Sequence, residues 1–169
     1  MTNHVIQLEN LVFEAVVENL LVSKYCIDYR KDPQRWHRTG CYGYPASILL
    51  FSIADTIGGY ILGGNVRNHF NILNHVDYYH LNLSVDEINE IYRNYRSRLT
   101  HNSALAIGRL MDIGTRNDPI YEHLDNRNIK LNLLPFWNKT YYCVETFISL
   151  TNLSGNLLAN EILSIPSPN

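Results

Sequence analysis

The segment RNYRSRLTHNS, residues 93–103, gathers Arg93, Arg96, Arg98 and His101 at one end of a helical pattern whose acids, Asp86, Glu87 and Glu90, all lie upstream. A guanidinium can grip two phosphate oxygens at once and stabilise charge that grows on them in a transition state. An imidazole can pass a proton near neutral pH. Together these residue types are suited to RNA: one activates the ribose 2′-hydroxyl or protonates the leaving oxygen while the other holds the phosphoryl charge.

The helix that carries them has a clear start. Ser84-Val85-Asp86-Glu87 fits a capping box, with Ser84 as N-cap and Glu87 reaching back from the third position. An apolar stripe follows at Ile88, Ile91, Tyr92, Tyr95 and Leu99. At about 100° per residue, Arg96 falls roughly 70° from the centre of that stripe, on the border between core and solvent. Arg93 projects outward and Arg98 flanks the opposite border. The helix is expected to loosen over 100–102, so that His101 turns back toward Arg96 and the two share a semi-buried cleft; were the helix to continue, His101 would point away from the core. Because both side chains lie off the stripe, truncating either opens no core cavity, and loss of a helix-end interaction costs only about 0.3–1 kcal/mol.

The remaining elements follow from the same patterns. Residues 5–27 carry Leu8, Leu11, Val12, Ala15, Val16, Leu20 and Val22 at helical spacing, which predicts a long first helix. The segment 30–45 reads as a loop by its prolines and glycines. Pro45 opens a second helix to about Leu62, stopped by Gly63-Gly64. A short third helix is expected within 66–80. Beyond the fourth helix, 103–114 and 128–134 read as extended, in the form of a small hairpin. Pro135 opens a last helix through Leu150. The expected architecture is mainly α, an antiparallel bundle with a small β or irregular insertion after the fourth helix. It occupies 1–154 and is followed by a partly disordered tail, 155–169.

Composition limits the function classes. With 169 residues, 46% hydrophobic, 18% charged and a net charge of −2, the chain reads as one globular domain, so nucleic-acid binding must be a local patch. Three cysteines without a CxxC pair read as reduced thiols. The opening MTNHVIQLEN has neither a basic n-region nor an apolar h-region, so a cytoplasmic protein is expected. The richest apolar stretch, 45–64, is broken by Asp55, Thr56 and glycines, which suits a core helix and not a membrane span.

The string YRSRLTHN, an arginine, four residues, then a histidine, resembles the motif of HEPN-domain proteins, where the two are separated by four to six residues. The resemblance implies a helical bundle with the motif near the end of a long helix, a homodimer with the cleft at its interface, and metal-independent endoribonuclease activity. Many such proteins are toxins of toxin–antitoxin pairs or act in phage defence, so an antitoxin or other protein partner is implied too. Arg96 and His101 take the catalytic positions. Ser97 takes the polar position after the arginine, where the family more often has Asn, Asp or His. Arg93, Arg98 and Asn102 then support RNA binding, and no metal or other cofactor is called for. The alternative is a noncatalytic HEPN-like module that binds a protein partner, a nucleotide or RNA through the same cleft; a purely structural helical adaptor is a third reading.

Other features carry two readings each. Asp55, inside the most apolar helix, needs a partner because unpaired burial is costly. Either an arginine of the fourth helix, which it would orient, or a neighbouring hydroxyl can serve, and the hydroxyl is the commoner solution. The loop RKDPQRWHR, 30–38, interleaves Arg30, Lys31, Arg35 and Arg38 with Trp36 and His37. It suits phosphate contact with base stacking, though a solvated loop anchored by one buried Trp is the simpler reading. His69, His75 and His80 match no metal-ligand spacing.

Overall fold

A computed structural model of the chain describes residues 10, 12–32, 34, 40–102 and 104–150. The fold is mainly helical with a small three-stranded sheet. Helix α1 is π-helical over Phe13–Glu18 and α-helical over Asn19–Asp28. Helix α2 spans Gly43–Leu62, and α3 is a short turn, Val66–His69, that tightens into a 3₁₀ segment, Phe70–Asn74. Helix α4 starts as Val85–Glu90, widens to a π-helix over Ile91–Ser97 and closes as Arg98–Asn102. Strands β1 (Arg109–Asp112), β2 (Tyr121–His123) and β3 (Ile129–Asn132) precede α5, Leu133–Leu150. Residues 1–9, which include the expected start of the first helix, lie outside the described residues, as does 151–169 with the expected tail.

Helix α2 is the axis on which the others are laid. By length and composition it could cross a membrane. Its apolar content has another use here: Ala46, Leu50, Phe51, Ile53, Ala54 and Ile57 are all buried in the protein core. Phe51 packs between Phe70 of α3 and Phe136 of α5, with ring centroids 6.0 and 5.2 Å away. Trp137 of α5 is fully buried, and its indole N–H donates to Leu20 O of α1 at 3.0 Å, so this large ring is placed without an orphaned donor. Gly63 and Gly64, with φ of 62° and 84°, turn the chain out of α2 in a conformation that side chains disfavour.

The capping box at the start of α4 is formed as expected. Ser84 Oγ accepts from Glu87 N at 3.2 Å, and Glu87 Oε2 accepts from Ser84 N at 2.8 Å. The Ser84 backbone N–H holds the Glu87 carboxyl below its ordinary range. A carboxyl lowered on folding adds stability above its unfolded value, and that stability is lost as pH falls through the folded one. Glu87→Gln, which keeps the box but not the charge, is therefore expected to cost about 0.5–1 kcal/mol at pH 7 and clearly less at pH 3. Urea unfolding at the two pH values checks this, and an equal cost at both would contradict it.

The insertion after α4 differs from the expected hairpin. Segment 109–112 pairs with 129–132 in parallel, and the antiparallel hairpin is formed by β2 and β3, so β3 is central in the order β1-β3-β2. The hairpin turn is made by Asp125, whose carboxylate accepts from Arg127 N and Asn128 N at 2.7 Å each. At three residues, β2 is too short to show alternation in the sequence. The sheet is tied to α4: buried Tyr95 donates its hydroxyl to Ile129 O at 2.9 Å, Arg109 pairs with Glu90, and His123 Nε2 lies 3.1 Å from Glu87 Oε1. One flank of α4 is thereby braced by the sheet and the other by α2 and α3.

Candidate functional site

One acid and a pair of glycines on α2, with a second pair of glycines just past its end, prepare the site. Asp55 stands among apolar neighbours, and Gly58 and Gly59 follow one turn later on the same side of the helix. The absent side chains let α3 approach backbone to backbone: a Cβ on Gly58 would lie 2.2 Å from His69 O, and one on Gly59 would touch the His69 ring at 3.3 Å from Cε1. The chain turns at Gly63-Gly64, Asn65 caps α3 by accepting from Asn68 N at 3.2 Å, and His69 is delivered over Asp55.

Asp55 is shared. Its Oδ1 lies 2.8 Å from His69 Nδ1, and its Oδ2 accepts from Arg96 Nη2 at 2.9 Å. Of the two partners open to Asp55 in the sequence, the arginine of α4 is the one found, and the favoured hydroxyl is not. The three side chains are semi-buried, with 17% of Asp55, 17% of His69 and 22% of Arg96 exposed. Arg96 also lies over the Tyr92 ring, 5.8 Å from its centroid, and Tyr92 meets Phe70 edge-on at 5.4 Å. Stacking from one side and the ion pair at its tip hold the guanidinium in one place. Arg96 uses only Nη2 on the protein among the described residues, so its other N–H groups are left for a ligand.

The rest of the motif is arranged differently from the expectation that His101 turns back. Leu99 is fully buried, and Thr100 Oγ1 donates to Arg96 O at 2.8 Å, so the last turn stays helical through Asn102. From Arg96, in the last residues of the π-helical stretch, through the α-helical turn that follows, five steps of about 100° put His101 roughly 140° around the axis. His101 is exposed and makes no hydrogen bond or ion pair among the described residues. Arg93 and Arg98 are exposed on the same helix, and Ser97 is half-buried beside Arg96. The Asn102 side chain lies outside the described residues, as do Arg35, Trp36, His37 and Arg38 of the basic loop. At the edge of that loop Arg30 donates to Ile27 O, and Lys31 lies over the Tyr42 ring at 5.1 Å.

Beside the Asp55–His69 pair is a shallow concavity of about 370 Å³ lined by Asp55, Thr56, Gly59, Tyr60, Val66 and His69. Among the described residues no group of three or more His, Cys, Asp or Glu side chains converges as a metal site would require. What the cluster offers is an oriented cation, an oriented imidazole and a carboxylate between them. Comparison with protein-family models, curated proteins and solved structures finds no match to this chain.

His69 is the member of this cluster that spacing rules did not single out. The usable signal was the acid followed by two small residues on one helix face, which marks a close approach by another element bearing a partner for that acid.

Proposed function

We propose that this protein is a HEPN-like, metal-independent endoribonuclease acting as a homodimer in the cytoplasm, in a bacterial toxin–antitoxin or phage-defence role. The observation that supports this reading best is Arg96: a guanidinium held half-buried by Asp55 near a helix end that also carries exposed Arg93, Arg98 and His101. In this reading Arg96 binds the scissile phosphate, and the exposed arginines track the backbone on either side. With His101 on the outer face, a two-fold pairing of α4 ends would bring the histidine of one copy to the Arg96 cleft of the other.

A second reading is favoured by the same His101 geometry. An imidazole about 140° from Arg96 on its own helix suits a noncatalytic module that binds RNA, a nucleotide or a protein such as an antitoxin. Purified protein incubated with a single-stranded RNA oligonucleotide separates the two: cleavage that persists in EDTA supports the nuclease, and intact RNA with measurable binding supports the module. Light scattering at micromolar concentration is expected to give the mass of a dimer; a stable monomer would remove the composite-site argument.

A further inference from the structure

His69 has the features of a working acid–base group and no other evident employment. Its ring is fixed from three directions: Nδ1 on Asp55 at 2.8 Å, Gly59 beneath Cε1, and its own backbone against Gly58. A carboxylate only accepts, so Nδ1 carries the hydrogen and the neutral ring keeps its lone pair on Nε2. Nε2 has no hydrogen-bond partner among the described residues, and His69 lines the open concavity. The carboxylate that orients it also holds Arg96 through its other oxygen. Such a carboxylate–imidazole pair orients a base and stabilises the imidazolium that forms.

We propose that His69 is a catalytic acid–base residue of the same site, with Asp55 as the positioning residue that couples it to the phosphate-binding Arg96. This rests on the reading of the protein as a ribonuclease. In the step it serves, Nε2 takes the proton of the ribose 2′-hydroxyl and the 2′-oxygen forms a bond to phosphorus. The bond from phosphorus to the 5′-oxygen breaks, and that oxygen leaves with a proton from an exposed imidazolium or from water. A 2′,3′-cyclic phosphate and a 5′-hydroxyl result, and His69 returns its proton to solvent. The site then has its proton acceptor and its cation within one protomer, and the exposed His101 is free for the leaving-group side.

His69→Asn tests this, because the asparagine amide can still donate to Asp55 while lacking a titratable nitrogen. Cleavage is expected to fall by about 100-fold or more. Affinity for a 2′-O-methyl oligonucleotide, which cannot be cut, should change less than about 2-fold, a difference below 0.5 kcal/mol. His69→Ala supplies a second arm: imidazole added to it should restore part of the rate, which a purely structural histidine would not permit. If His69→Asn cleaves at the wild-type rate, or loses binding and cleavage together, the inference is overturned while the ribonuclease reading stands on His101→Ala. Wild-type protein that never cuts RNA overturns both.

Discussion

Arg96→Ala is expected to lower RNA cleavage by at least 100-fold and also to destabilise the fold. The first effect follows, on the proposed reading, from losing a donor to charge that develops on the phosphoryl oxygens, the kind of group whose removal costs about 2.7–4 kcal/mol of barrier. The second departs from what the sequence alone suggests. Arg96 lies off the apolar stripe, yet its truncation leaves Asp55, a carboxylate only 17% exposed, with the His69 ring as its one remaining side-chain partner among the described residues. Loss of a hydrogen bond between such groups costs about 1.5–3 kcal/mol. Arg96→Lys keeps the charge and loses the planar fork, so it should recover part of the stability and little of the rate. His101→Ala, by contrast, removes an exposed side chain and should stay within about 0.5 kcal/mol of wild type. Arg93→Ala and Arg98→Ala should leave stability alone and weaken RNA binding, each lowering the salt slope by about 0.7 for single-stranded RNA. Denaturant melts alongside single-turnover cleavage check the set; an Arg96→Ala protein as stable as wild type would mean that Asp55 is satisfied without it.

The second large effect is expected at Gly58. Helix propensity taken alone says that alanine in the middle of α2 should stabilise by about 1 kcal/mol. The structure reverses the sign. The new Cβ would sit 2.2 Å from His69 O, 2.8 Å from His69 C and 2.9 Å from its Cα, all backbone atoms that cannot rotate away. To relieve this, α3 must move off α2, which draws His69 from Asp55 and loosens Phe70 from Phe51. A net loss of about 3 kcal/mol is expected, or a fall of roughly 6–12 °C in Tm for a chain of this size. RNA cleavage should fall in parallel. A Gly58→Ala protein that melts higher than wild type would refute the packing of α3 on α2.

How much of this could be read from the residues depends on how local the determining physics is. The start of α4 was legible because Ser84 and Glu87 complete the capping box within one turn. The length of α2 was legible because an apolar-rich stretch lies between the helix-opening Pro45 and the stop at Gly63-Gly64, although the helix begins at Gly43, two residues ahead of Pro45. The end of α4 was not: whether Thr100–Asn102 loosens turns on where Leu99 is buried, which is decided by other elements. The parallel β1–β3 pairing was hidden for the same reason, since its partners are separated by the short β2 and an Asp-centred turn. At the site, Asp55 announced a need for a partner, and both Arg96 and an arginine-versus-hydroxyl choice were visible. His69 was not, because its place over Asp55 depends on a backbone approach that two glycines allow but do not specify.

The proposed activity is cutting of RNA at an Arg96-centred site that needs no metal. The chemistry of the cut ends tests it most directly. A single-stranded oligoribonucleotide treated with the purified protein in EDTA should give fragments whose masses match a 2′,3′-cyclic phosphate on one side and a 5′-hydroxyl on the other, and a 2′-deoxy substitution at the cut position should block the reaction. Intact RNA, or cleavage that needs added metal and leaves a 5′-phosphate, would contradict it.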